Sequence, residues 1–199
     1  MSLLIADIKI KGTRPLLFNR FTIDTISLHK KEQTGVAGND PEEWKRTYSA
    51  TSDGQLYLDS SYIFGCIREA AKYTKSGRAS IQTKVAATLQ ILTNKALINR
   101  FVPRFEDITQ DPTQPVYIDI RSVRNPSTKG RNIRYRLALS EGWETSFQIM
   151  WENTLVNRTQ MEAVVIDAGK LVGLGDGRSI GFGRFDVVEF HIKEYQKNA

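Results

Sequence analysis

The chain has one cysteine, Cys66, among 199 residues. A single thiol excludes an internal disulfide and a cysteine-based zinc cage. Histidine is scarce too, with only two, His29 and His191. No metal-ligand constellation can be assembled around them, so no metal and no cofactor are expected. Long apolar runs are missing, and nothing approaches the roughly 18 residues of a membrane span. The opening "MSLLIADIKIK" meets a charge at Asp7, too soon for a signal-peptide core. A cytoplasmic protein without membrane contact is expected. Acidic residues are outnumbered, 22 against 28 Lys and Arg, for a formal net charge of +6. That surplus favours a polyanionic partner. The length fits one domain, and 40% hydrophobic with 25% charged residues suits a folded chain with a sizeable core.

The order of elements gives a fold class. "LLIADIKIK" alternates, with Ala6, Ile8 and Ile10 on one face, and reads as a half-buried strand. A long excursion without sustained period follows, about residues 18–56. Inside it, "DPEEWKRTY" reads as a short helix with Asp40 as cap, Pro41 in the first turn and Glu43 closing a capping box. "YLDSSYIFGCIREAAKYTKSG" is a helix with an apolar stripe of Ile63, Cys66, Ile67 and Ala70. "IQTKVAATLQILTNKAL" is predicted helical as well. "VYIDIRSV" alternates, and Ile133–Leu139 and Trp143–Trp151 are predicted to form a hairpin around "SEG". "TQMEAVVIDAGKLV" is a helix capped by Thr159 and Glu162, and "RFDVVEFHI" a last strand. The whole is α+β: strand, helix, strand, strand or strand pair, helix, strand. This is a single ferredoxin-like (RRM-like) βαββαβ domain over 1–199, elaborated by the long insertion.

"GLGDGRSIGFGRF", residues 173–185, packs five glycines into thirteen positions. It is not a P-loop, because Val172 stands where the first glycine belongs. Ile180 likewise breaks the dinucleotide pattern. The loop follows a helix and opens a strand, so no helix N-terminus faces a bound phosphate. A helix C-cap at Gly173 and a bulge at Gly181 and Gly183 would need one or two glycines. Five, with Arg178 and Arg184 interleaved, suit backbone lying against another chain's backbone.

This loop, between a second helix and a last strand, resembles the C-terminal glycine-rich loop of the RAMP superfamily, the RNA-binding proteins of CRISPR systems. "DSSYIFGCIREA" is similar to the Ser-Ser-x-x-x-Gly-x-x-Arg helix start of the backbone subunits of CRISPR effector complexes, on Ser60, Ser61, Gly65 and Arg68. The resemblance implies a subunit that coats single-stranded guide RNA in antiviral defence, repeats as a homo-oligomer along it and meets other effector subunits. It implies RNA contacts at Gly173, Gly175, Gly177, Arg178, Ser179, Gly181, Gly183 and Arg184, and at Arg68.

A second region has one sign of charge. "RSVRNPSTKGRNIRYR", residues 121–136, holds six basic residues and no acidic one. Its turn chemistry marks a protruding hairpin tip, so Arg121, Arg124, Lys129, Arg131, Arg134 and Arg136 are candidate phosphate contacts. In backbone subunits of the resembled family, a mid-domain protrusion presses on guide RNA. Tyr135 and Trp143 share faces with core residues and are read as core. For chemistry, "SLHKKE" offers His29 with Lys30 and Lys31, the set a metal-independent RNA-processing endoribonuclease would need. No orienting partner for His29 is evident, and the non-enzymatic reading is preferred. Asp24, Asp40 and Asp53 sit where some RAMP subunits carry a cleaving aspartate, with nothing to single one out. A non-enzymatic assembly protein docking an acidic partner is the third alternative.

Overall fold

The alternation in "LLIADIKIK" is β1, Leu3–Gly12, in a computed structural model that describes residues 2–20, 40–124, 127 and 129–195. There follow β2 (Leu16–Leu17), a 3-10 turn (Glu43–Arg46), β3 (Gln55–Asp59) and α1 (Ser60–Ala70). Next come β4 (Lys75–Ser76), β5 (Ala79–Ser80), α2 (Gln82–Thr88), β6 (Gln90–Ile91) and β7 (Lys95–Phe101). The chain continues through β8 (Val116–Arg124), β9 (Arg131–Leu139), β10 (Glu144–Glu152), α3 (Arg158–Asp167) and β11 (Phe185–Glu194). The fold is α+β, with antiparallel sheets.

The main sheet has the order β11-β1-β10-β7-β3, with β6 also on β10. Leu4, Ala6, Ile8 and Ile10 of β1 are buried, while Asp7 and Lys9 line the opposite face. Their partners on β10, including Phe147, Ile149 and Trp151, point into the same core. The α1 stripe Ile63, Cys66, Ile67 and Ala70 packs there with Met161, Val164 and Val165 of α3. Burying each of the large aliphatic side chains stabilises the fold by about 2 kcal/mol. The stripe expected of α1 is the one observed.

Three expectations are corrected. The predicted helix over 81–97 ends at Thr88, and the chain then becomes β6 and β7. From there Ala96 and Ile98 turn inward with a period of two, because the segment is a strand held between β10 and β3 rather than a helix. The predicted hairpin of 133–139 with 143–151 does not form. β9 pairs with β8 and β2 in a second sheet, whereas β10 pairs with β1, β6 and β7. The "SEG" turn docks on the end of β1, through Gly142 N–H to Gly12 O at 2.9 Å and Gly12 N–H to Trp143 O at 2.7 Å. That docking sends the two strands into different sheets. The cap of α3 is Asn157 with Gln160, not Thr159 with Glu162. Gln160 N–H donates to Asn157 Oδ1 at 2.9 Å, and the Gln160 side chain accepts from Asn157 N–H at 3.1 Å.

The "DPEEWKRTY" segment is the 3-10 turn, and Asp40 Oδ1 accepts from Glu42 N–H at 3.0 Å. Glu43 closes no capping box. Its carboxylate leaves the turn and accepts the Tyr135 N–H at 3.0 Å, while Thr47 Oγ1 accepts the Leu137 N–H at 3.2 Å. Both acceptors satisfy the edge of β9 beyond the two residues of β2.

Candidate nucleic-acid interface

The glycine loop follows a π-helical turn, Ala168–Val172, at the end of α3. All five of its glycines have positive φ. At Gly183 (φ +69°) a Cβ would stand 1.8 Å from Leu174 O. At Gly175 (φ +72°) it would stand 2.4 Å from Leu17 O. Hydrogen bonds fix the same approach: Leu174 N–H to Gly183 O at 2.9 Å, Gly183 N–H to Pro15 O at 2.8 Å, and Asp176 N–H to Leu17 O at 2.9 Å. The expectation that the glycine excess serves another chain's backbone is therefore revised. The loop is pressed onto β2 and onto itself, and only Gly181 has open space around a notional Cβ.

Side chains tie this loop to its surroundings. Asp176 pairs with Arg136 of β9 at 3.1 Å. The Phe182 ring lies 4.4 Å from the Arg121 guanidinium of β8. Arg178 reaches Glu69 of α1 at 3.1 Å. The result is a cleft of about 250 Å³ between the start of α1 and the loop, lined by Ser61, Tyr62, Gly65, Gly175 and Arg178. The two motifs picked out from the sequence, separated by more than a hundred residues, thus face one another. Gly65 leaves the wall open, since a Cβ there would meet nothing within 4 Å. The Arg178–Glu69 pair is about 40% exposed on both sides. An exposed pair of this kind is worth about 0–1 kcal/mol, so Arg178 can exchange Glu69 for a phosphate at little cost. Tyr62, at a variable position of the helix motif, donates its hydroxyl to Asn19 O at 3.2 Å, and burial pushes its pKa up. Ser60 and Ser179 belong to the same two segments, but neither lines the cleft.

A second cleft, about 430 Å³, adjoins the end of the loop. It is lined by Thr13, Arg14, Gly169, Lys170, Arg184, Phe185 and Asp186. Arg184 thus sits among two cations, Arg14 and Lys170, that no local motif announces.

The basic hairpin tip is there, with the β8–β9 register running out to Arg124 opposite Arg131. Its charge is more compensated than the sequence implied. Arg121 pairs with Asp119 at 2.8 Å, Arg134 with Glu43, and Arg136 with Asp176. The open face expected for Arg134 and Arg136 is absent: Arg136 is 7% exposed and Arg134 is held by Glu43. Both are bound inside the molecule. Arg124, Lys129 and Arg131 are exposed, and no ion pair joins them to a carboxylate among the described residues. Like charges directly opposite on paired strands repel, so Arg124 and Arg131 favour an anion between them. Arg68 is exposed on α1, its guanidinium 6.0 Å from the Phe64 ring. Trp143 is fully buried and Tyr135 packs against the core, as expected.

Removing one partner of a buried ion pair strands the other charge. Arg136 is buried while Asp176 is one-third exposed, so Asp176→Ala is expected to lower stability by about 3 kcal/mol, the low end for a broken buried pair, checked by urea unfolding with an unchanged m-value. An unchanged midpoint would mean that the Arg136 guanidinium is solvated without it.

For chemistry, His29, Lys30, Lys31 and Asp24 lie outside the described residues. Asp40 pairs with Arg46 at 2.5 Å, and Asp53 accepts from the Thr51 hydroxyl at 2.5 Å. His191 is exposed on the sheet face away from the helices, 3.5 Å from Glu189. Burial pushes the Cys66 thiol up to about 12, so it is neither a nucleophile nor a ligand at neutral pH. Among the described residues no group of three His, Cys, Asp or Glu side chains is placed to hold a metal ion. None of their helices is long and apolar enough to cross a membrane.

No protein-family model matches the sequence, and no curated protein matches it. A solved chain from the cryo-EM structure of the Type III-B Cmr-beta bound to cognate target RNA is similar in structure, with 14% identity and a TM-score of 0.46. The similarity covers 96% of this chain and 61% of that one, so this chain spans less than two thirds of its length.

Proposed function

We propose that this chain is a RAMP-type backbone subunit: a non-enzymatic protein that coats single-stranded guide RNA through phosphate contacts, in a CRISPR-type cytoplasmic defence complex. The observation that carries the reading is the cleft of Ser61, Tyr62, Gly65, Gly175 and Arg178, where both RAMP-like motifs meet. The fold part of the reading is ferredoxin-like. It is supported by the order β11-β1-β10-β7, in which the four strands of a βαββαβ unit stand 4-1-3-2 with α1 and α3 packed in one core. Copies of the chain would repeat along the RNA, next to other effector subunits. Phosphate contacts suit this role because they leave bases free to pair with a target.

Gly65 provides the test. A side chain at this position has room, and replacing a mid-helix glycine stabilises a helix by about 0.5–1 kcal/mol. Gly65→Glu is therefore expected to keep or raise the melting temperature while weakening binding of a fluorescent single-stranded RNA at least tenfold. With the unsubstituted protein, bound mass should rise in steps as the RNA lengthens. Full RNA affinity in Gly65→Glu, or one copy bound whatever the RNA length, would overturn the reading.

A further inference from the structure

The acid-free basic tip is not the longest such stretch in this chain. Between Glu69 and Glu106 lie 36 residues with no Asp or Glu and seven basic residues. Four of those cations, Lys72, Lys75, Arg78 and Lys84, fall in the first half of the stretch, around a small hairpin. In it β4 and β5 pair Lys75 with Ser80 and Ser76 with Ala79, across a turn at Gly77 (φ +67°) and Arg78. The hairpin is exposed along its length, and so is Lys84 on α2. It is anchored by Ile81 N–H to Thr74 O at 3.1 Å and by the buried Ile81 side chain, so its cations are presented from a fixed base.

The position of this hairpin gives it meaning. Ser61, Gly65 and Arg68 recur on α1 at intervals of four and three, which is one helix face, and Lys72 follows four residues on, in the turn just past the helix end. That face begins at the cleft with Ser61 and Gly65 and ends where the chain enters the hairpin. Gln82 Nε2 donates to Arg68 O at 3.1 Å, holding α2 beside the same face. The only carboxylate on this part of α1 is Glu69, and it is already shared between Arg178 and Lys72. No ion pair joins Arg68, Lys75, Arg78 or Lys84 to a carboxylate among the described residues. Tyr73 is 48% exposed beside them, with Lys72 Nζ 4.9 Å from its ring centroid.

We infer that the outer face of α1 and the β4–β5 hairpin form a second phosphate-binding track, which carries a single strand of RNA onward from the cleft. This rests on the function proposed above and extends it. Arg68, Lys72, Lys75, Arg78 and Lys84 supply cations in sequence, and Tyr73 supplies an aromatic edge of the type single-strand binders use. The track is separate from the β8–β9 tip, so the chain holds the strand at two places rather than one.

The test uses the full chain and a fluorescent single-stranded oligouridine. Lys75→Ala/Arg78→Ala removes two exposed side chains that make no ion pair among the described residues, so its melting temperature should equal that of the unsubstituted protein. Each lost single-strand phosphate contact reduces the slope of log affinity against log salt by about 0.7, so the double variant should be flatter by roughly 1.4 units. Extrapolated from 1 M to 100 mM salt, this is about a 25-fold loss. Ultraviolet cross-linking should mark the peptide containing Tyr73. If the double variant retains the full slope, or the cross-links omit residues 72–84, this inference is overturned while the proposed function stands. If the unsubstituted protein binds no RNA at all, both fall.

Discussion

Gly183→Ala should lower the melting temperature by about 12 °C. The cause is steric and local. A Cβ at residue 183 would lie 1.8 Å from Leu174 O and 2.8 Å from Leu174 C and N, so backbone rather than a pliable side chain must yield. Moving it breaks two hydrogen bonds, Leu174 N–H to Gly183 O and Gly183 N–H to Pro15 O. Each is worth about 1 kcal/mol, and stranding the buried groups adds about 1 kcal/mol more in all. The φ of +69° adds about 1 kcal/mol for any L side chain. The sum is about 4 kcal/mol, and a chain of this size loses about 3 °C per kcal/mol. Gly181→Ala is the control. It shares the positive φ (+93°) but has open space, so a loss of about 1 kcal/mol is expected. Differential scanning calorimetry on both variants decides the matter, and equal losses would mean that the loop moves freely away from Leu174.

That contrast also shows how much of the site was legible in the sequence. The density of glycines pointed to a close approach of backbone, and the approach is real, but sequence carries no record of which backbone. The partners are Leu17, Pro15 and Leu174 of the same chain. The basic tip behaved similarly. Alternation placed Arg134 and Arg136 opposite Tyr135 and Leu137, and they do lie there. Their carboxylates come from Glu43 and Asp176, far away along the chain, and no local pattern announces a counter-charge. Elements defined by their own period were readable: β1, the stripe of α1, the run of α3. Those defined by a distant neighbour were not. β10 alternates perfectly well beside β9, yet its partners are β1, β6 and β7, and choosing between them and β9 needs the docking of Gly142 on Gly12. The acid-free stretch after Glu69 is visible in composition, but its cations are spaced out rather than clustered, so no local motif marks them.

RNA binding by this chain should depend steeply on salt. Arg178 and Arg184 at the loop, Arg68 on α1, and Arg124, Lys129 and Arg131 at the tip are six cations on the proposed path. Neutralising six phosphates of a single strand accounts for about −4 units of slope in log affinity against log salt, with Lys75 and Arg78 adding to it. Those six alone imply a loss of about 300-fold between 50 and 200 mM salt. The tip can then be divided by burial. Arg124→Ala/Arg131→Ala removes two exposed side chains and relieves a like-charge pair, so stability should hold or rise slightly. The slope should flatten by roughly 1.4 units, equally for every RNA sequence. Arg134→Ala/Arg136→Ala removes the same formal charge from the same hairpin, but strips Glu43 and Asp176 of their partners. It should destabilise the fold by several kcal/mol and leave the slope of the remaining folded protein almost unchanged. Fluorescence titration across salt, paired with thermal unfolding of each variant, separates the two. If the Arg134/Arg136 variant lost the slope and the Arg124/Arg131 variant kept it, phosphate would be bound on the inner face of the hairpin, and the exposed tip would have no part in holding RNA.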